Sequence, residues 1–157
     1  MVNGKVEGYT HLDSIIDSVL DESDHPLSIL SNFTALIKEY IPNISWAGFY
    51  ILSGDELYLG PFQGKVACTK IKLGAGVCGK SAELKQSLIV PDVHKFDGHI
   101  ACDSGSNSEI VVPLFLDDKL YGVIDLDSYE FNNFDETDKI FLEKFSIILI
   151  KKAFQRM

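Results

Sequence analysis

Apolar residues recur at helical spacing through the first forty positions. Leu12, Ile15, Ile16, Val19 and Leu20 form one stripe, and Leu27, Leu30, Phe33, Leu36 and Ile37 form another. His25-Pro26 separates them, with Pro26 suited to a first helical turn. From Ser45 the pattern shortens to strand-like segments between turn residues: 45–52, 56–62, 67–73, 87–90, 109–116 and 120–127. Gly74 to Leu84 reads as a glycine turn leading into a short helix, and Asp92 to Ser108 as a long aperiodic loop. Asp135 to Phe154 closes the chain as a helix with Ile140, Phe141, Phe145, Ile148 and Leu149 on one apolar face. Asp135, Glu136 and Asp138 lie in its first turn and Lys151 and Lys152 in its last, complementing the helix dipole. Strands joined mainly by hairpins, flanked by helices, predict an α+β domain around an antiparallel sheet.

At 157 residues the chain fits one domain, here expected to span 1–157: helices over 1–40, sheet and pocket loops over 45–127, and a closing helix over 135–155. With 14 Lys+Arg against 23 Asp+Glu, the net charge of −9 disfavours nucleic acid and anionic membrane surfaces as partners. The longest candidate, Phe145 to Ile150, is far short of a membrane span, and the N-terminus lacks the core of a signal peptide. A cytoplasmic location is expected.

Asp125 and Asp127 share one face of the segment YGVIDLDS, among apolar residues. A three-residue hairpin loop at 117–119 would set Glu109 opposite Asp127, whereas a two-residue loop would shift that register. Acids at solvated strand ends are the plain alternative. If instead they converge in a pocket, a metal, an amino-acid ammonium or a shared proton must compensate their repulsion.

Cys68, Cys78 and Cys102 are too few and too oddly spaced for a disulfide framework or a zinc pair. Buried hydrophobe, metal ligand and redox thiol remain open for each. Cys68 begins or lies within a strand, Cys102 lies in the aperiodic loop, and Cys78 opens the short helix, where the dipole favours thiolate. Near Cys102, His94 and His99 are read as local hydrogen-bonding groups. Trp46 and Tyr50 flank Gly48 on one strand face; core packing is the plain account, and an open slot for a small ligand the alternative.

The pieces SWAGFY, LGPFQGKVACTKI, GAGVCG, VPDVHKFDGHIACD, SNSEIVVP and GVIDLDS together resemble GAF domains of the free methionine-(R)-sulfoxide reductase type. The resemblance implies a GAF-like (PAS-like) fold: about six antiparallel strands, terminal helices on one face and a loop-covered pocket on the other. By that likeness Cys102 is the nucleophile, Cys68 the main resolving thiol and Cys78 an alternative partner. Trp46 and Tyr50 would wall the substrate methyl, while Glu109, Asp125 and Asp127 bind and protonate the substrate. The resemblance further implies a homodimer recycled by thioredoxin or a similar dithiol, with no metal or organic cofactor. A non-catalytic GAF ligand-binding module and a redox switch are the competing readings.

Overall fold

The computed structural model describes residues 4–100 and 105–157. Helices α1 (Lys5–Val19) and α2 (Pro26–Tyr40) lead into strands β1 (Trp46–Ser53), β2 (Glu56–Gln63) and β3 (Lys70–Lys72). Helix α3 (Gly76–Leu84), β4 (Leu88–Val90), a 3-10 turn at Val93–Lys95, β5 (Ser108–Leu116), β6 (Lys119–Ser128) and α4 (Glu136–Lys152) follow. The six strands form one antiparallel sheet in the order β3-β2-β1-β6-β5-β4.

Strand alternation divides the interior into two layers. Ala47, Phe49, Ile110, Val112, Leu114, Ile124 and Leu126 face α1, α2 and α4 and build the larger core. Full burial of each large side chain there contributes roughly 1.5–3 kcal/mol. The opposite face carries Trp46, Tyr50, Val111 and Val123 toward α3 and the pocket loops.

Three local expectations are corrected. In α4, Ile140 points to solvent at 64% exposure, and the buried row is Asp138, Leu142, Phe145 and Leu149. A buried polar anchor sets that rotation: Asp138 accepts hydrogen bonds from Tyr9 Oη (2.7 Å), Lys5 Nζ (2.7 Å) and the Asp135 backbone N–H (2.8 Å). In α1 and α2, Val19 and Leu27 are likewise exposed while their neighbours in each stripe are buried or half-buried. Strand β3 covers only Lys70–Lys72, so Cys68 lies in the irregular connection after β2 and not in a strand.

The β5–β6 register combines features of both hairpin expectations. The loop is the two-residue Asp117-Asp118, both in the left-handed region suited to a tight hairpin. A bulge beyond Leu114–Phe115 then inserts Tyr121, restoring the pairing of Glu109 with Asp127. Gly122 sits at that bulge because a Cβ there would lie 2.2 Å from the Tyr50 carbonyl oxygen.

Candidate active site

Pairing across three strands gathers the acids and aromatics. Glu109 on β5 is opposite Asp127 on β6, and Asp127 is opposite Trp46 on β1. Two residues along the same face, Asp125 is flanked by Val111 and Gly48. Trp46, Tyr50, Glu109, Asp125 and Asp127 therefore open on one side of the sheet. With Cys78 and His99 they line a cavity of about 40 Å³ beneath the segment that follows β4. Glu109 and Asp125 are not at solvated strand ends, each being only 5% exposed, and Asp127 is half-buried.

Burial and mutual repulsion push the Glu109 carboxyl well above its ordinary range, and burial also raises Asp125. Asp125 accepts hydrogen bonds from Glu109 and Cys78, which draw it back down. Glu109 is also hydrogen-bonded to Asp127. The favoured state thus keeps a proton on Glu109 and negative charge on Asp125. Asp125 Oδ1 is buried without a hydrogen-bond partner, an acceptor left over for a guest.

Cys78 opens α3 as expected, but the thiolate expectation fails. Its thiol is buried and donates to Asp125, and desolvation with the nearby carboxylates drives its pKa well up. Full burial beside acids outweighs the pull of a nine-residue helix. Ligand atoms of Cys78, Glu109 and Asp125 lie within 4.8 Å of one another, close enough to surround a cation.

Around Gly48 the packing account holds rather than the open slot. The indole lies over Gly48, where a Cβ would come within 2.6 Å of Trp46 Cη2 and 2.5 Å of Phe62 Cβ. The missing side chain makes room for Trp46 itself, stacked 5.3 Å from Phe62 and 6.0 Å from Tyr50. Both site aromatics reach across to the segment after β2: Trp46 Nε1 donates to the Lys65 carbonyl and Tyr50 Oη to that of Cys68, each at 3.0 Å. Cys68 is disulfide-bonded.

The ends of the aperiodic segment are pinned together. The Val93 N–H donates to the Asn107 carbonyl (3.0 Å), and His94 Nε2 is 2.8 Å from Asn107 Oδ1. His94 fits the hydrogen-bonding expectation, whereas His99 lines the cavity with a pKa lowered by burial and by His94. Ser106, 4% exposed with an unpartnered Oγ, joins it there. Neither was singled out as a site residue; their signal was only membership of a long segment without periodicity. Cys102 lies outside the described residues.

Comparison with known proteins places this arrangement. Residues 25–149 match the GAF domain. The free methionine-R-sulfoxide reductase of Escherichia coli (strain K12) is 46% identical over 135 residues, covering 86% of this chain and 82% of that protein. Its namesake from Saccharomyces cerevisiae is 51% identical over 132 residues, covering 79% and 73%. The X-ray structure of free methionine-R-sulfoxide reductase from Neisseria meningitidis in complex with its substrate matches with a TM-score of 0.91 at 42% identity, over 97% of this chain and 92% of that one. The chain belongs to the GAF-domain family and, within it, to the free methionine-R-sulfoxide reductases.

Proposed function

We propose that this protein reduces free methionine-(R)-sulfoxide to methionine by thiol chemistry. The observation that carries this reading is the Glu109–Asp125–Asp127 cluster, two acids buried and one half-buried, facing Trp46 and Tyr50 in one small cavity. A sulfoxide oxygen leaves poorly until it is protonated, and Glu109 is an acid held in its protonated form. Asp125 and Asp127 then attract the substrate ammonium. A methionine inside a peptide has no such ammonium, so the site selects the free amino acid. The aromatic pair supplies an apolar wall for the methyl group.

In this reading Cys102 is the nucleophile. Its thiolate takes the oxygen equivalent, methionine departs, and Cys102 is left as a sulfenic acid. Cys68 condenses with it to a disulfide, and thioredoxin or a similar dithiol restores both thiols. The disulfide at Cys68 and the free thiol at Cys78 support the resolving role for Cys68. We place the protein in the cytoplasm, where such reductants act; among the described residues no helix is long and apolar enough to cross a membrane. We take it to pair as a homodimer through the helical face, where Val6, Val19 and Ile140 are exposed.

The test is NADPH-coupled turnover with thioredoxin and its reductase. The R epimer of free methionine sulfoxide should be consumed, the S epimer should not, and Cys102→Ser should abolish the reaction. Equal rates on both epimers, or an active serine variant, would overturn the reading. A redox switch would show disulfide formation without turnover.

A further inference from the structure

We infer that Tyr50 and Trp46 are positioning residues for Cys68: their polar hydrogens hold the backbone that presents the resolving sulfur. The proposal rests on the reductase reading above and assigns these two side chains a second task beyond walling the substrate methyl.

The connection from Gly64 to Thr69 lies between β2 and the three-residue β3 and carries Cys68 in irregular backbone. Burial does not pin all of it, since Val66 is 89% exposed. Two side chains from β1 reach it from the sheet. Trp46 Nε1 donates to the Lys65 carbonyl and Tyr50 Oη to the Cys68 carbonyl, both at 3.0 Å. Trp46 is 3% exposed and Tyr50 2%, so both donors stand on rigid, buried rings. Burial and the neighbouring acids raise the Tyr50 pKa, so the phenol remains a donor. Val66 and Ala67 line the same cavity as the two rings. The wall that meets the substrate and the strap that carries the second sulfur are therefore one hydrogen-bonded unit.

Its task falls in the second half of the reaction. The Cys68 sulfur attacks the sulfenic sulfur, the S–S bond forms, and the S–O bond breaks. The oxygen leaves as water, carrying its own hydrogen and the proton from Cys68. The rate depends on how often Cys68 stands within reach, which fixing its carbonyl increases.

Tyr50→Phe keeps the ring and deletes the donor. Reduced protein is mixed with one equivalent of methionine-(R)-sulfoxide without dithiol, and dimedone traps the sulfenic acid at timed intervals. The sulfenic acid should persist about tenfold longer in Tyr50→Phe than in the parent. In a Cys68→Ser background, the same substitution should leave its lifetime unaltered. Equal lifetimes in the first pair, or equal lengthening in both backgrounds, would overturn the assignment. A second measurement needs no sulfoxide: equilibration of the Cys68 disulfide with glutathione. The parent disulfide should survive a reduced-to-oxidised glutathione ratio about tenfold higher than the Tyr50→Phe disulfide does. Identical sensitivity would sink the positioning role even if the protein reduced no sulfoxide, so the two failures are distinguishable.

Discussion

The Cys78 thiol donates its hydrogen to the Asp125 carboxylate, and burial keeps it from ionising. A cysteine at the opening of a helix is thereby turned from a nucleophile into a hydrogen-bond donor. With Cys68 oxidised, Cys78 is the free cysteine among the described residues. Iodoacetamide should therefore label Cys78 in the native oxidised protein at least roughly 100-fold more slowly than in guanidinium, because the reagent needs an exposed thiolate. Rapid native labelling, followed by mass spectrometry, would contradict that environment.

Glu109→Gln should cost roughly 100-fold or more in kcat/KM, the usual contribution of a placed general acid. In the parent enzyme, activity should decline as pH rises through the raised Glu109 pKa, because the proton needed by the leaving oxygen is then lost. The glutamine variant should lack that alkaline limb. An unaltered profile in the variant would move the acid role to another group.

The same group governs stability in the same direction. Glu109 binds its proton more tightly folded than unfolded, so its contribution is fully present below the unfolded carboxyl pKa and is lost as pH climbs through the folded one. Between about pH 5 and about pH 8 the parent should lose more thermal stability than Glu109→Gln. Differential scanning fluorimetry at matched ionic strength reads this directly, and parallel curves would refute it.

Gly48→Ala places a methyl where Trp46 Cη2 and Phe62 Cβ already stand. The expected cost is about 1–3 kcal/mol of stability from overpacking. A displaced indole should also raise KM and change tryptophan fluorescence, for which Trp46 is the sole source. Wild-type emission and KM together would show that the close approach is dispensable.

Asp138→Ala removes a fully buried carboxylate that holds Tyr9, Lys5 and the start of α4. Lys5, 18% exposed, would keep only Asp135 at 3.8 Å and the Asn133 carbonyl, and Tyr9 Oη would lose its acceptor; the fold should be destabilised by about 3 kcal/mol, near 6–12 °C in Tm for a domain this size. The pocket side of the sheet is remote from this anchor. Thermal melting and KM should therefore separate: Tm falls while KM stays close to the parent value.

Much of the fold was legible because its period signals are strong. Strands β1, β2, β5 and β6 and helix α4 agree with the sequence pattern to within a few positions. The acid cluster was legible too, since Asp125 and Asp127 alternate with apolar residues on one strand. Other features depend on tertiary context. Periodicity placed Ile140 inside, but the buried Asp138 anchor rotates α4 and turns it out. Helix position suggested a reactive Cys78, but burial together with Asp125 and Glu109, brought in from other strands, decides its ionisation. The bulge at Tyr121 cannot be counted from loop length, and it alone reconciles a two-residue turn with the Glu109–Asp127 pairing.

Strand β1 runs beside β6 in the middle of the sheet, so Trp46 meets Asp127 only after nearly the whole chain has been made. During synthesis the early half emerges with Trp46, Tyr50 and two of its cysteines but with none of the cavity's three acids. Long-range pairing of this kind also sets a slow pace for folding. A nascent chain therefore carries thiols without the acids, and the cavity is completed as a single late event when the last strand docks at the centre.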